Sequence, residues 1–273
     1  MIPVPDGGRA APHPRTRELQ ERTIPTMSTF VLVPGFWLGG WAWDAVAEPL
    51  RAAGHTVHAV TLPGLAERAG EASPETGAQA HIDDLTDLLV REDLRDVVLV
   101  AHSGGTIAVS GAADRVPERI RRVVWVDSGP LADGLAIADL WDPAYRAALE
   151  ASLVDGWRLP LPSWEVLASG GADVAGIDEA GLAVIRARAT DQPGRTCTEP
   201  VRLTGAAAKL PKGLVSCSIP LAQVREMIAA GHPYFAALGG PEWELREVPT
   251  GHWPMFSRPA ETAAVLAELA AVE

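Results

Sequence analysis

The chain has 273 residues, 47% of them apolar, enough for the core of one large domain or two small ones. Its 35 acidic and 23 basic side chains leave a net charge of −12, which disfavours nucleic acid and anionic membranes as partners, since both call for a basic face. No apolar run reaches the roughly 18 residues of a membrane span. The two cysteines, Cys197 and Cys217, are too few for a disulfide scaffold or a structural zinc site. These properties suit an acidic enzyme or small-molecule binder.

Residues 1–26 carry prolines at 3, 5, 12, 14 and 25 and arginines at 9, 15, 17 and 22. They lack the apolar stretch of a secretory signal, so a cytoplasmic location is expected. Too little apolar surface is present to offset ordering entropy, and the segment reads as a disordered tail. Met27 is an alternative translation start. The folded part is expected to be residues 27–273.

From residue 29 an alternating rhythm begins. Residues 29–34 (TFVLVP) are a short apolar run, followed by a Gly/Trp loop and a helix around 41–53. Residues 55–62 (HTVHAVTL) alternate as a strand does, 63–77 form a loop, and 78–91 place Ile82, Leu85, Leu88 and Leu89 on one helical face. Residues 97–101 (VVLVA) form a continuous apolar strand of the kind buried on both faces. A helix at 105–115 and a strand at 123–126 (VVWV) follow. The rhythm then stops over 131–210 and resumes with a strand at 213–218, a helix near 222–230, a strand at 244–248 and a helix from Pro259. Alternating strands and helices predict an α/β fold with a doubly wound, mostly parallel sheet. The stretch 131–210 is too long for a plain crossover and reads as an inserted helical cap.

The strand at 97–101 runs through Ala101-His102-Ser103-Gly104-Gly105 into a helix. This is the strand–turn–helix setting of a nucleophile elbow, G-x-S-x-G, with Ala101 at the first glycine. The turn is tight, so the flanking residues must be small. Ser103 is therefore the candidate nucleophile; an ordinary N-cap serine is the bland alternative. Of seven histidines, only His252 (VPTGHWPMFSRP) is predicted at the carboxyl end of a strand, where open α/β sheets place their sites. It is the candidate general base, against a loop histidine capping the last helix. His102 is expected to point away from the reaction.

A carboxylate must orient the imidazole. Residues 214–220 (LVSCSIP) contain none, but Asp127 ends the strand after the nucleophile strand (VVWVDSGP). Asp127 is the candidate acid, and Glu226 the alternative; Asp127 could also be an Asx-turn residue. The expected oxyanion hole combines the backbone N–H of Gly104 with that of Phe36 from the first loop, Trp37 being second choice. Trp41, Trp43 and Trp125 are expected in the core. Trp37, Trp141, Trp157, Trp164 and Trp253 are candidates for an apolar substrate pocket, roughly half of them expected to line it. No metal-ligand cluster, dinucleotide fingerprint or Walker motif is present, so no metal or cofactor is expected.

Together VLVPGFWLGGWAW, VVLVAHSGGT, VVWVDSGP and VPTGHWPMFSRP resemble the α/β-hydrolase superfamily, from about residue 28 to the end. The opening looks like that of plant methylesterases and hydroxynitrile lyases. Two departures stand out: Pro34 where many members have His before Gly, and the acid displaced to the preceding strand, as in a group of zearalenone-lactone hydrolases. The resemblance implies an α/β-hydrolase fold working through Ser103, His252 and Asp127; the expected activity is hydrolysis of carboxylic esters or lactones, and the tryptophans and net charge favour a small, mostly apolar substrate. A lyase on the same scaffold and a non-catalytic binder are the rivals. The sequence leaves the oligomeric state open.

Overall fold

In this computed structural model, residues 27–232 and 234–272 are described; the expectation for residues 1–26 lies outside them. Runs of Val, Leu and Ile make the central strands because both faces of a parallel sheet are covered by helices. Strands β1 (Thr29–Val33), β2 (Thr56–Ala59), β3 (Val97–His102) and β4 (Ile120–Val126) come first. After an insert carrying two short strands, β5 (Arg158–Leu159) and β6 (Gln192–Pro193), come β7 (Lys212–Ser216) and β8 (Trp243–Glu247). The main sheet has the order β2-β1-β3-β4-β7-β8, every neighbour parallel. β3 is buried along its whole length.

Alternate residues of each strand serve opposite faces. Val98, Val100 and Val124 pack with Val46 and Leu50 of α1 (Asp44–Ala52) and Leu266 and Leu269 of α10 (Pro259–Ala271). Leu99, Ala101 and Val123 pack with Leu85 and Leu89 of α2 (Ala78–Arg91), and with Val109 and Ala112 of α3 (Thr106–Arg115). The predicted helix at 41–53 is split, its first turn being a 3-10 turn, Gly40–Trp43. Trp43 and Trp125 are core, as expected. Trp41 is only half-buried, between Phe256 and the Arg188 guanidinium.

The insert is not purely helical. It holds α4 (Pro143–Ala151), α5 (Trp164–Ser169), α6 (Glu179–Arg188) and α7 (Arg195–Thr198), and β5 pairs antiparallel with β6. Three of these short helices begin at a side-chain cap. Asp142 accepts from Ala144 and Tyr145 N–H, Ser163 from Val166 N–H, and Asp178 from Gly181 N–H. Such caps compensate for what a short helix lacks in length.

Register then does the positioning. The chain leaves β1 toward β2 but returns to β3 on β1's other side, which opens the switch-point crevice of a doubly wound sheet. Val33 pairs with Ala101, so the loop after β1 lies beside Ser103. His102 pairs with Val126, so Asp127 lies level with Ser103, one residue beyond the paired end of β3 and β4. Val126 pairs with Val215, bringing Cys217 and Ser218 alongside Asp127.

Gly105 sits where the elbow passes under the β1 loop. A Cβ there would come within 2.6 Å of the Pro34 carbonyl oxygen and 2.9 Å of that of Val33. Both obstacles are backbone, so Gly105→Ala should cost about 1–3 kcal/mol of stability, as overpacking does. Gly70, with open space around it, should tolerate alanine or gain from it. Urea melts of the two variants measure the contrast; equal stability would contradict it.

Candidate active site

Ser103 follows β3 directly and opens a 3-10 turn, Ser103–Gly105, that runs into α3. Its φ of 48° lies in the left-handed region that a non-glycine residue rarely adopts. Glycine surrounds this strained turn because nothing larger fits. A Cβ at Gly35 would stand 2.9 Å from the Ser103 Cβ, and one at Gly104 would meet the Phe36 ring at 2.5 Å. Ser103 and His252 line the same cavity, whose volume is about 440 Å³.

Asp127, also left-handed at φ 46°, is the anchor of the site. Its Oδ2 accepts from His252 Nδ1 at 2.7 Å and from the Ser218 hydroxyl at 2.7 Å. Its Oδ1 accepts from the backbone N–H groups of Cys217 and Ser218, each at 2.9 Å. Burial alone would push this carboxyl up. The hydrogen bond and charge of His252, with the Ser218 bonds, outweigh burial and hold it at about 2. The end of β7, which lacks an acid of its own, thus supplies the donors that seat an acid from β4. A carboxylate only accepts, so His252 Nδ1 carries the proton of this bond, and the neutral ring has its lone pair on Nε2. Glu226, the alternative acid, is exposed on α8 (Leu221–Ala229) and does not line the cavity.

His102 does not point away from the site as expected. It is buried, and its Nε2 donates to the His252 carbonyl oxygen at 2.8 Å. The two rings lie 4.9 Å apart. Burial first, then the neighbouring His252, pushes His102 down to about 3, so it stays neutral and acts as a strut for the His252 loop. Sequence reasoning missed this because the side chain reaches a loop 150 residues away.

The oxyanion candidates separate. Trp37, the second choice, gives its backbone N–H to Gln192 Oε1 at 3.0 Å and is not available for a ligand. Phe36 lines the cavity and its ring covers Gly104.

The tryptophans separate too. Trp37, Trp141 and Trp253 wall the cavity, with Tyr145, Leu140 and Phe235 among the residues that sequence reasoning did not single out. Trp157 instead lines a second apolar cleft of about 310 Å³, which shares only Trp141 with the first. Trp164 does not line the cavity either. It packs edge-on against Trp253 and holds the Arg186 guanidinium 4.4 Å above its ring. Apolar character could not tell which side of the insert each indole takes. Among the described residues no group of three His, Cys, Asp or Glu side chains gathers as a metal site, and no helix is long and apolar enough to cross a membrane.

Two buried histidines give stability a pH dependence. Burial lowers His81 to about 4 and His102 to about 3. In the unfolded chain both titrate near 6.5. Their contribution is complete above that value and is lost as pH falls, because only the unfolded chain takes up the protons. At pH 5 this amounts to about 2 kcal/mol for each histidine. Urea unfolding at pH 7.5 and 5 should show the loss, and His81→Gln should halve it. A variant with the full loss would contradict the assignment.

Comparison with known proteins follows the same lines. The model of the alpha/beta hydrolase family matches residues 30–265. A carbendazim hydrolyzing esterase from Nocardioides sp. (strain SG-4G) is 31% identical over 259 residues, 89% of this chain and 100% of that protein. Methylesterase 7 of Arabidopsis thaliana is 36% identical over 99 residues, but these are only 36% of this chain and 38% of that protein. Among solved structures, an extracellular α/β-hydrolase from a Paenibacillus species shares the fold with a TM-score of 0.74 at 22% identity, over 89% of this chain and 98% of its own. The family match across most of the sequence, joined to the full-length relative and the parallel sheet, means that the chain belongs to the alpha/beta hydrolase family.

Proposed function

We propose that the protein is a serine esterase that hydrolyses small, uncharged, mostly apolar carboxylic esters, lactones being the cyclic case. The observation that carries this reading is the 2.7 Å bond from His252 Nδ1 to Asp127, made beside a cavity that Ser103 also lines. The esterase relatives support it at the level of ester cleavage.

The proposed steps follow from the proton inventory. His252 Nε2 takes the Ser103 hydroxyl proton as Oγ attacks the ester carbonyl carbon. The carbonyl oxygen becomes an oxyanion, which the N–H groups of Phe36 and Gly104 stabilise; each such donor is worth about 3–4 kcal/mol in other enzymes. The imidazolium is stabilised by Asp127, which remains a carboxylate at any working pH because its own titration lies near 2. The bond to the alkoxide oxygen breaks as His252 returns its proton to that oxygen. Water then attacks the acyl-serine with His252 again as base, releasing the acid and restoring Ser103. No step in this proposal calls for a cofactor.

Substrate character follows from the walls. Trp37, Trp141, Tyr145 and Leu140 offer apolar area, and the net charge of −12 repels polyanions at long range. p-Nitrophenyl esters of graded chain length, run with a lactone panel, should show turnover of uncharged substrates well above that of phosphorylated or polycarboxylate esters. The reverse preference would contradict this part of the reading.

The catalytic assignments are tested on one activated ester. Ser103→Ala should abolish turnover while leaving the melting temperature nearly unchanged; retention of a tenth of wild-type rate would contradict it. Asp127→Asn keeps the shape but lets the imidazole take the wrong tautomer, so a loss of at least about a hundredfold is expected, while Glu226→Gln stays close to wild type. Ser218→Ala removes only one of the donors to Asp127 and should fall between them. A dead Glu226→Gln beside an active Asp127→Asn would show the acid to be misplaced.

A further inference from the structure

The loop that would hold the oxyanion is gripped from the insert. Trp37 is in the left-handed region, φ 65°, which is unfavourable for a bulky residue unless its surroundings enforce it. Three bonds enforce it, all to residues between β5 and the end of β6. The Trp37 backbone N–H donates to Gln192 Oε1 at 3.0 Å, its carbonyl accepts from Thr190 N–H at 3.0 Å, and its indole Nε1 donates to the Leu159 carbonyl at 2.9 Å.

Gln192 is the part of this grip whose chemistry is set by a second residue. It has no solvent exposure. The hydroxyl of Thr196, equally buried, donates to the Pro193 carbonyl at 2.6 Å, so it can only accept from Gln192 Nε2, 2.8 Å away. That chain fixes the amide: nitrogen toward Thr196, oxygen toward Trp37. A buried glutamine with both ends satisfied, 155 residues from the loop it holds, is a specific device rather than filler.

We infer that Gln192 is a positioning residue for the oxyanion loop, holding Trp37 in its left-handed conformation so that the adjoining Phe36 N–H stays aimed at the reacting carbonyl. The inference rests on the esterase reading above. It makes the insert part of the machinery that stabilises the transition state, and not only a wall of the pocket. Loss of the Gln192 acceptor frees the Trp37 N–H and lets the loop relax, which weakens stabilisation of developing charge more than it weakens ground-state binding.

The test uses the full chain and two readouts: kcat and KM on p-nitrophenyl butyrate, and the rate of covalent labelling by a fluorophosphonate. Phosphonylation also builds negative charge on an oxygen in the same place. Gln192→Met keeps the volume and removes the acceptor. It should lower kcat and the labelling rate by about tenfold or more with KM within about threefold, and Gln192→Glu, whose carboxyl is kept protonated by burial and so offers an acceptor toward Trp37 and an O–H donor toward Thr196, should regain most of the loss. Thr196→Val, which releases the amide from its fixed orientation, should lower kcat by a smaller factor with KM unchanged, and it carries the test if Gln192→Met does not fold. Wild-type kcat and labelling in the variants would overturn the inference, as would a rise in KM alone, or a loss that Gln192→Glu does not relieve. A wild-type protein that no fluorophosphonate labels would overturn the esterase reading itself, and the inference with it. A labelled wild type with unaffected variants would overturn only the role of Gln192.

Discussion

The Asp127 carboxylate is held by three separate parts of the chain at once. It leaves the end of β4, takes two backbone N–H groups and a hydroxyl from the end of β7, and gives its remaining acceptor capacity to His252 in the loop after β8. A buried charge is expensive unless every lone pair is used, and here four donors use them. The cost of burial is thereby reversed, and the group stays ionised. The same bonds pin the ends of three adjacent strands to one another, so the geometry of the site and the closure of the sheet's carboxyl edge are one arrangement.

Three of the seven described non-glycine residues in the left-handed region surround this arrangement. Trp37, Ser103 and Asp127 are non-glycine residues in the left-handed region, and each lies at the carboxyl end of a neighbouring parallel strand. Each is held there by something specific. Ser103 is confined by the close approach of Gly35 and the strand-to-helix turn, Asp127 by its four donors, and Trp37 by bonds to the insert. His102 adds a strut, tying the elbow to the His252 backbone. A site built this way is preorganised: its groups are placed before any ligand arrives.

The parallel sheet was legible because its central strands are continuous apolar runs separated by amphipathic helices, and the observed boundaries of α2 and α10 lie within a residue or two of the periodic pattern. Ser103, Asp127 and His252 were legible as candidates because each sits at a strand end, a position that sequence order alone defines. What lay beyond reach was everything set by contacts between distant segments. Ser218 and Gln192 are ordinary polar residues until register places one beside Asp127 and the insert places the other beside Trp37. Trp157 and Trp164 look like Trp141 in composition, yet they face a separate cleft and the Trp253 edge, because the turn of the insert decides which way each indole points. His102 reads as a neighbour of the nucleophile, and only the fold shows that its ring reaches the opposite loop.

In the proposed mechanism Ser103 attacks a carbonyl whose oxygen is received by the Phe36 and Gly104 N–H groups while Asp127 holds His252. A crystal structure of the protein after reaction with a fluorophosphonate tests this most directly. The proposed mechanism requires phosphorus bonded to Ser103 Oγ, a phosphoryl oxygen about 3 Å from both N–H groups, and the bond from His252 to Asp127 intact. Phosphorus on another residue, or a phosphoryl oxygen turned away from Phe36 and Gly104, would contradict it.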